Sequence, residues 1–142
     1  MTNETIIEEL NTLLRGSYMG IRSLEHYISE VNDEELKKTF QQMQKEHKRN
    51  AQILAERIQN LGGIPADDEG FSGSIHSFMH KFMIPKENEK IIEDAIEGMM
   101  KFGVHYSDEL IKGDLDPESK RIADEIIDDS RRHAELLKQY LH

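Results

Sequence analysis

Apolar residues recur every three or four positions along most of this 142-residue chain. Such spacing places them on one stripe of an α-helix, and no run of alternating β-branched residues between turns indicates a strand. Only three prolines, at positions 65, 85 and 117, interrupt the pattern. The sequence therefore predicts an all-α protein, and its length is that of one domain, residues 1–142.

Capping and breaking residues divide the apolar pattern into four predicted helices. Asp33 and Asp116 are good N-cap residues, and Pro117 suits the first turn of the helix that follows Asp116. Gly62 and Gly63 end the second helix. The predicted helices cover residues about 2–29, 33–61, 87–112 and 116–141.

A connector of about twenty residues, 64–86, separates two predicted helical hairpins. Short turns make each hairpin antiparallel, whereas a connector of this length can return along the bundle. We therefore expect the second and third helices to run in the same direction. An apolar stretch within the connector predicts a short crossover helix containing Ile75, Phe78, Met79, Phe82 and Met83.

The two halves of the chain align with a nearly constant offset. A shift of 82 residues places the first helix on the third, so that Gly16 meets Gly98. A shift of 83 residues places the second helix on the fourth, so that Asp33 meets Asp116. The shared cap and the offset favour a repeated helical hairpin.

A mostly polar layer crosses the middle of the four helical seams, where apolar residues are expected. His47 and Asn50 are three residues apart, as are Ser130 and His133, so each pair lies on one helix face. The repeat pairs His47 with Ser130 and Asn50 with His133. The six positions of the layer are Ser17, His47, Asn50, Met99, Ser130 and His133.

The pattern resembles that of the uncharacterised bacterial ferritin-like proteins related to the rubrerythrins, over essentially the whole chain. The likeness rests on a glycine before the mid-helix position (Gly16 and Gly98), on Leu-Gly-Gly at 61–63, and on a Gly-x-x-His segment at 73–76. The resemblance implies a ferritin-like four-helix bundle of two antiparallel hairpins joined by a long crossover that contains a short helix.

In ferritin-like di-iron bundles, one helix of each hairpin supplies a Glu and the other supplies Glu-x-x-His. The glutamate positions of this chain hold Ser17, His47, Met99 and Ser130. The histidine positions hold Asn50 and His133, so only His133 keeps the expected ligand type. Because two irons need several bridging carboxylates, the resemblance implies the fold but does not imply iron oxidation.

Two interpretations of the polar layer remain open. His47 and His133 suit a single transition metal ion (Fe, Zn or Mn), with Asn50 as a poorer ligand. Glu46 and Asp129 lie next to the seam, about 100° around the helix, and reach inward only if the register differs by one residue. The other interpretation, which we favour, is a hydrogen-bonded layer without a cofactor, since structural zinc sites usually need four good ligands.

Other candidate sites give weaker signals. His76 and His80 are four residues apart on the crossover segment, a spacing that can chelate a surface metal, but we interpret them as a solvated pair. The sequence contains neither the residue spacing typical of a hydrolase triad nor a glycine-rich phosphate loop. We therefore assign no catalytic residues and favour a protein that is not an enzyme.

The net charge of −10 and the pI of about 5.1 argue against nucleic-acid and membrane partners, which need a basic footprint. The absence of cysteine and the polar, acidic start at Met1–Glu9 favour a cytoplasmic bacterial protein. The predicted function is a non-catalytic ferritin-like bundle that acts through self-association, as a dimer, or through a protein partner. The alternative is a metal-binding or redox protein with a mononuclear site at His47 and His133.

Overall fold

Four helices account for most of the residues that this computed structural model describes, which are 3–67, 85–107 and 115–141. The predicted all-α fold is confirmed, whereas the predicted crossover helix lies outside the described residues. None of the described helices is long and apolar enough to cross a membrane. The helices are α1 (Asn3–Glu30), α2 (Glu34–Asn60), α3 (Asn88–Gly98), a π-helix that continues α3 (Met99–Tyr106), and α4 (Pro117–Lys138).

Local hydrogen bonds set the ends of the helices where the sequence predicts them. The Asp33 side chain accepts a bond of 3.0 Å from the Leu36 amide, and the Asp116 side chain accepts one of 3.3 Å from the Ser119 amide. Both aspartates satisfy amides that have no partner within the helix. Gly62, with φ of +89°, adopts the left-handed conformation that ends α2.

Side-chain hydrogen bonds between helices show their relative direction. The Tyr27 hydroxyl donates to Asp94 Oδ2 at 2.5 Å, and Asn88 Oδ1 accepts from the Asn32 amide at 3.0 Å. These bonds join the end of α1 to the start of α3, so the two helices are antiparallel. Because α2 reverses the direction of α1, α2 and α3 run the same way, as in the predicted ferritin-like connectivity.

The first residues of the connector lie along α1. Asn11 donates to the Ile64 carbonyl at 3.1 Å and accepts from the Ala66 amide at 2.8 Å. The Tyr18 hydroxyl donates to the Ala66 carbonyl at 3.2 Å. The chain therefore starts back along the bundle as soon as α2 ends.

Within the part of the chain that the structure describes, the buried apolar residues form two clusters, one toward each end of the bundle. Their separation follows the sequence, because the polar layer interrupts the apolar seams of α1, α2 and α4. One cluster includes Leu10, Leu14, Ile21, Leu54, Ile58, Val104, Ala123 and Ile127. The other includes Leu24, Tyr27, Leu36, Phe40, Met43, Ile91, Ala95 and Leu137.

The π-helix shifts the apolar seam of the third helical segment by one residue. Phe102 follows Met99 by three residues, a spacing that places it on the inward face of an α-helix, but Phe102 is 48% exposed and Val104 is buried. A π-turn holds one more residue than an α-turn, so the residues beyond it rotate around the helix axis. The offset that aligns α1 with the third helical segment is therefore 82 residues before the π-helix and 83 residues within it. With the offset of 83, the buried Val104 corresponds to the buried Ile21.

Candidate functional site

The structure brings His47 and His133 together in the polar layer. Their ring centroids lie 5.4 Å apart, and the ring planes are tilted by 57°. His47 comes from α2 and His133 from α4, which pack as antiparallel neighbours. Three smaller members of the predicted layer are buried at the same level of the bundle: Ser17, Asn50 and Ser130.

His133 is nearly inaccessible to solvent, with 1% of its surface exposed. Its Nε2 lies 3.3 Å from Glu46 Oε1, within hydrogen-bonding distance. Its Nδ1 is buried and has no hydrogen-bond partner among the described residues. A buried nitrogen without a hydrogen bond lowers the stability of the folded protein. This atom therefore marks a place where the fold is not optimised for stability alone.

Arg132 connects the two carboxylates at the edge of the layer. Its guanidinium donates to Glu46 Oε1 and, at 3.1 Å, to Asp129 Oδ1. The other Asp129 oxygen accepts from Asn50 Nδ2 at 3.0 Å. A chain of polar contacts therefore runs from Asn50 through Asp129, Arg132 and Glu46 to His133.

Glu46 and Asp129 reach the polar layer without a change of helix register. Both are half-buried at the edge of the layer, and the contact between Glu46 and His133 forms without a shifted register. Sequence reasoning also missed Arg132 as a member of the site. The available signal is its position three residues after Asp129 and directly before His133, because i, i+3 pairs meet on a helix surface.

Both imidazoles are held in the neutral form near pH 7. Burial, together with the neighbouring His133, lowers the pKa of His47 to about 4. Burial also lowers the pKa of His133, against the opposing effect of Glu46. For Glu46 itself, burial acts to raise the pKa, but hydrogen bonds from Arg132 and His133 outweigh it and lower the pKa. The charged groups of the site are thus the carboxylates and the guanidinium.

Glycines let the neighbouring helices approach the layer closely. A Cβ atom at Gly20 on α1 would lie 3.3 Å from Cε1 and 3.4 Å from Nδ1 of His47. A Cβ atom at Gly103 in the π-helix would lie 2.7 Å from the Ser130 hydroxyl. With the offset of 83, Gly20 corresponds to Gly103 and His47 corresponds to Ser130. The repeated hairpin thus places a glycine against each of these layer positions.

An open groove between α2 and α4 leads to the Glu46 side of His133. Its cavity has a volume of about 230 Å³. Both apolar and charged side chains line the groove. Solvent reaches the carboxylate of Glu46 through it but hardly reaches the His133 ring. The groove is lined by Lys38, Thr39, Gln42, Met43, Glu46, Arg132, His133 and Leu136.

The donors that the site presents are two imidazoles and two carboxylates that are already bonded to Arg132. Within the described ranges, no group of three or more histidine, aspartate or glutamate side chains converges to hold a metal ion. The predicted ligands His47, His133, Asn50, Glu46 and Asp129 do lie in one neighbourhood. The second histidine pair of the sequence, at 76 and 80, lies outside the described residues.

The helix directions, the length of the connector in the sequence and the mid-bundle polar layer together define a ferritin-like four-helix bundle. The chain belongs to the family described as domain of unknown function DUF2383, whose model matches residues 5–113. No match is found among curated proteins.

The fold is also that of a solved structure described as a dodecameric thioferritin in the bacterial domain, the bacterioferritin-related protein from Bacteroides fragilis. The TM-score is 0.78 at 16% sequence identity, and the match covers 99% of this chain and 86% of that chain. The ferritin-like fold predicted from the sequence is thereby confirmed. At this level of identity the similarity extends to the fold alone.

Proposed function

We propose that this protein is a non-catalytic ferritin-like bundle that lacks a di-metal centre and acts by association, first with further copies of itself. The observation that carries the proposal is the position of Arg132. Its guanidinium bonds both carboxylates beside the polar layer, Glu46 and Asp129. In a di-iron bundle, carboxylates of this layer bind the metal ions. Here the two carboxylates closest to the layer bind the guanidinium of Arg132 instead.

The donor set of the layer does not fit two irons. A buried di-iron centre needs bridging carboxylates to offset its charge. Serine at positions 17 and 130 and methionine at position 99 supply no carboxylate. The remaining acidic groups, Glu46 and Asp129, already share Arg132.

Exposed apolar side chains support the association. Phe102 in the π-helix is 48% exposed and Leu136 on α4 is 38% exposed. When a partner covers large apolar side chains that are this exposed, their removal from water favours binding. The solved bundle with the same fold is a dodecamer, which supports a homo-oligomer here; we propose a dimer as the smallest such assembly. The cytoplasmic location predicted from the cysteine-free sequence is part of the same proposal.

Sedimentation velocity and light scattering over roughly a hundredfold range of protein concentration test the proposal, because a self-associating protein changes mass with concentration. We expect an oligomer that Phe102→Ser or Leu136→Ser weakens by about tenfold or more. Ile64→Ser is the matched control, since Ile64 is 86% exposed but lies at the start of the connector. A protein that remains monomeric throughout this range and retains no protein partner in affinity capture contradicts the proposal.

A further inference from the structure

We propose that His47 and His133 bind one transition metal ion of the Zn²⁺ or Cu²⁺ class between their rings, with Glu46 orienting His133 from the opposite side. This site takes one ion rather than two, and it uses nitrogen donors where a di-iron centre uses carboxylates. It goes beyond the proposed association and does not depend on it.

The spacing of the two rings fits a shared ion. When two imidazole nitrogens each lie about 2.1 Å from one tetrahedral metal ion, the ring centroids are roughly 5 Å apart. The centroids of His47 and His133 are separated by 5.4 Å, and the rings are tilted rather than stacked. The distance between the two rings is therefore compatible with both rings binding one ion.

His133 already has the contacts of an oriented metal ligand. Metal-binding histidines usually give their other ring N–H to a carboxylate, which fixes the tautomer and the ring orientation. Here Nε2 lies 3.3 Å from Glu46 Oε1. When Nε2 carries the proton and donates it to Glu46, the lone pair is on Nδ1, which is the buried atom without a partner among the described residues. Metal coordination would satisfy this atom.

The charge around the two rings favours a cation. Glu46 and Asp129 are both carboxylates, while Arg132 is the cation bonded to them. The three groups therefore carry a net charge of −1, and the neutral imidazoles add none. Because no third histidine, aspartate or glutamate converges with the pair in the described ranges, water or a small anion would fill the remaining positions on the ion.

The donor type selects the metal. Imidazole nitrogen suits Zn²⁺ and Cu²⁺, whereas Mg²⁺ and Mn²⁺ prefer carboxylate and water oxygens. Two neutral nitrogen donors thus predict that Zn²⁺ and Cu²⁺ bind and that Mn²⁺ does not compete with them.

The test is a Zn²⁺ titration of untagged, metal-stripped protein, followed by calorimetry, with Co²⁺ absorption as a report on nitrogen coordination. The starting protein carries His76→Gln and His80→Gln, which removes the competing pair that the sequence places four residues apart. We expect one ion per chain and a raised unfolding midpoint in the presence of Zn²⁺.

Three variants and one control are compared in that background. His47→Gln and His133→Gln should each weaken Zn²⁺ binding by about a hundredfold or more, because each removes one of two protein ligands. Glu46→Gln should weaken it by about tenfold to a hundredfold without abolishing it, as expected for a group that orients a ligand. His105→Gln, which replaces an exposed histidine of the π-helix, should leave binding unchanged.

Circular dichroism and the unfolding midpoint without metal show whether each variant is folded. If His133→Gln does not fold, His47→Gln decides the question, because His47 is only half-buried. Zn²⁺ binding that persists unchanged in a folded His47→Gln variant overturns the proposal. So does the absence of one-to-one binding in the starting protein.

Discussion

The backbone of Gly103 lies so close to Ser130 that a Cβ atom at position 103 would be 2.7 Å from the Ser130 hydroxyl oxygen and 2.9 Å from its Cβ. The hydroxyl can rotate away from such an atom, but the Ser130 Cβ cannot. The π-helix and α4 therefore approach each other closely beside the polar layer, at the position where the repeated hairpin has Gly20 against His47.

Gly103→Ala is expected to destabilise the protein by about 1–3 kcal/mol, because the added methyl group must push the π-helix away from α4. Gly16→Ala is the matched control in α1, where a Cβ atom would meet nothing within 4 Å. That change should stabilise the protein by up to about 1 kcal/mol through helix propensity. Urea unfolding of both variants measures the difference, and effects of the same sign would contradict the close approach.

Arg132→Gln should lower the free energy of unfolding by about 1 kcal/mol, because it leaves Glu46 and Asp129 without their shared cation. Arg131→Gln is the control, since among the described residues Arg131 pairs with the exposed Asp128 alone, at 3.1 Å. That variant should change stability by less than about 0.5 kcal/mol. Urea unfolding at neutral pH and low salt separates the two, and equal losses would show that Arg132 is an ordinary surface residue.

Stability should fall in acid through Asp116. Burial acts to raise the pKa of Asp116, but hydrogen bonds from Ser119 and Arg57 outweigh it and lower the pKa. The unfolded chain, with a pKa of about 4, therefore takes up the proton first as the pH falls. The stabilisation is complete above that pKa and is lost as the pH falls through the lower, folded-state value.

Asp116→Asn keeps an N-cap residue but cannot ionise. We expect it to cost about 1 kcal/mol near pH 6 and progressively less as the pH falls through the lowered folded-state pKa of Asp116, below which both proteins are uncharged at this position. Asp128→Asn, in an exposed ion pair with Arg131, is the control. Unfolding free energies measured across this pH range test the prediction, and a pH-independent cost of Asp116→Asn would refute it.

Tyr27→Phe should destabilise the protein by about 1–3 kcal/mol, because it removes the hydroxyl that donates to Asp94 at 2.5 Å in a partly buried position. The ring contact with Phe40, at 5.6 Å between centroids, is retained in the variant. Tyr140→Phe is the control: its hydroxyl bonds Thr39 at 2.7 Å, and losing this neutral bond should cost about 1 kcal/mol. Thermal unfolding compares them, and a larger loss for Tyr140→Phe would contradict this ranking.

Burial and the hydrogen bond to Asp94 also raise the pKa of Tyr27 well above that of an ordinary tyrosine. An ultraviolet titration of the folded protein should therefore contain a tyrosine component that ionises at a higher pH than tyrosine does in the unfolded protein. The Tyr27→Phe variant should remove this difference.

Much of the candidate site follows from the sequence because helical periodicity is local. The spacing of His47 and Asn50, and of Ser130 and His133, placed each pair on an inward face, and Asn50, Ser130 and His133 are buried there. His47 is less buried than its seam position implies. The contacts of Glu46 and Arg132 did not follow, since they depend on how two helices distant in sequence lie beside each other.

The sequence by itself determined four helices, their caps at Asp33 and Asp116, and the polar interruption of the seams, because these depend on residues within a few turns of one another. Only the tertiary structure decided which side of the third segment faces inward. The π-helix exposes Phe102 and buries Val104, and an added residue in one turn leaves no distinct local pattern in the sequence. Its register is set by packing against α4, where Gly103 meets Ser130.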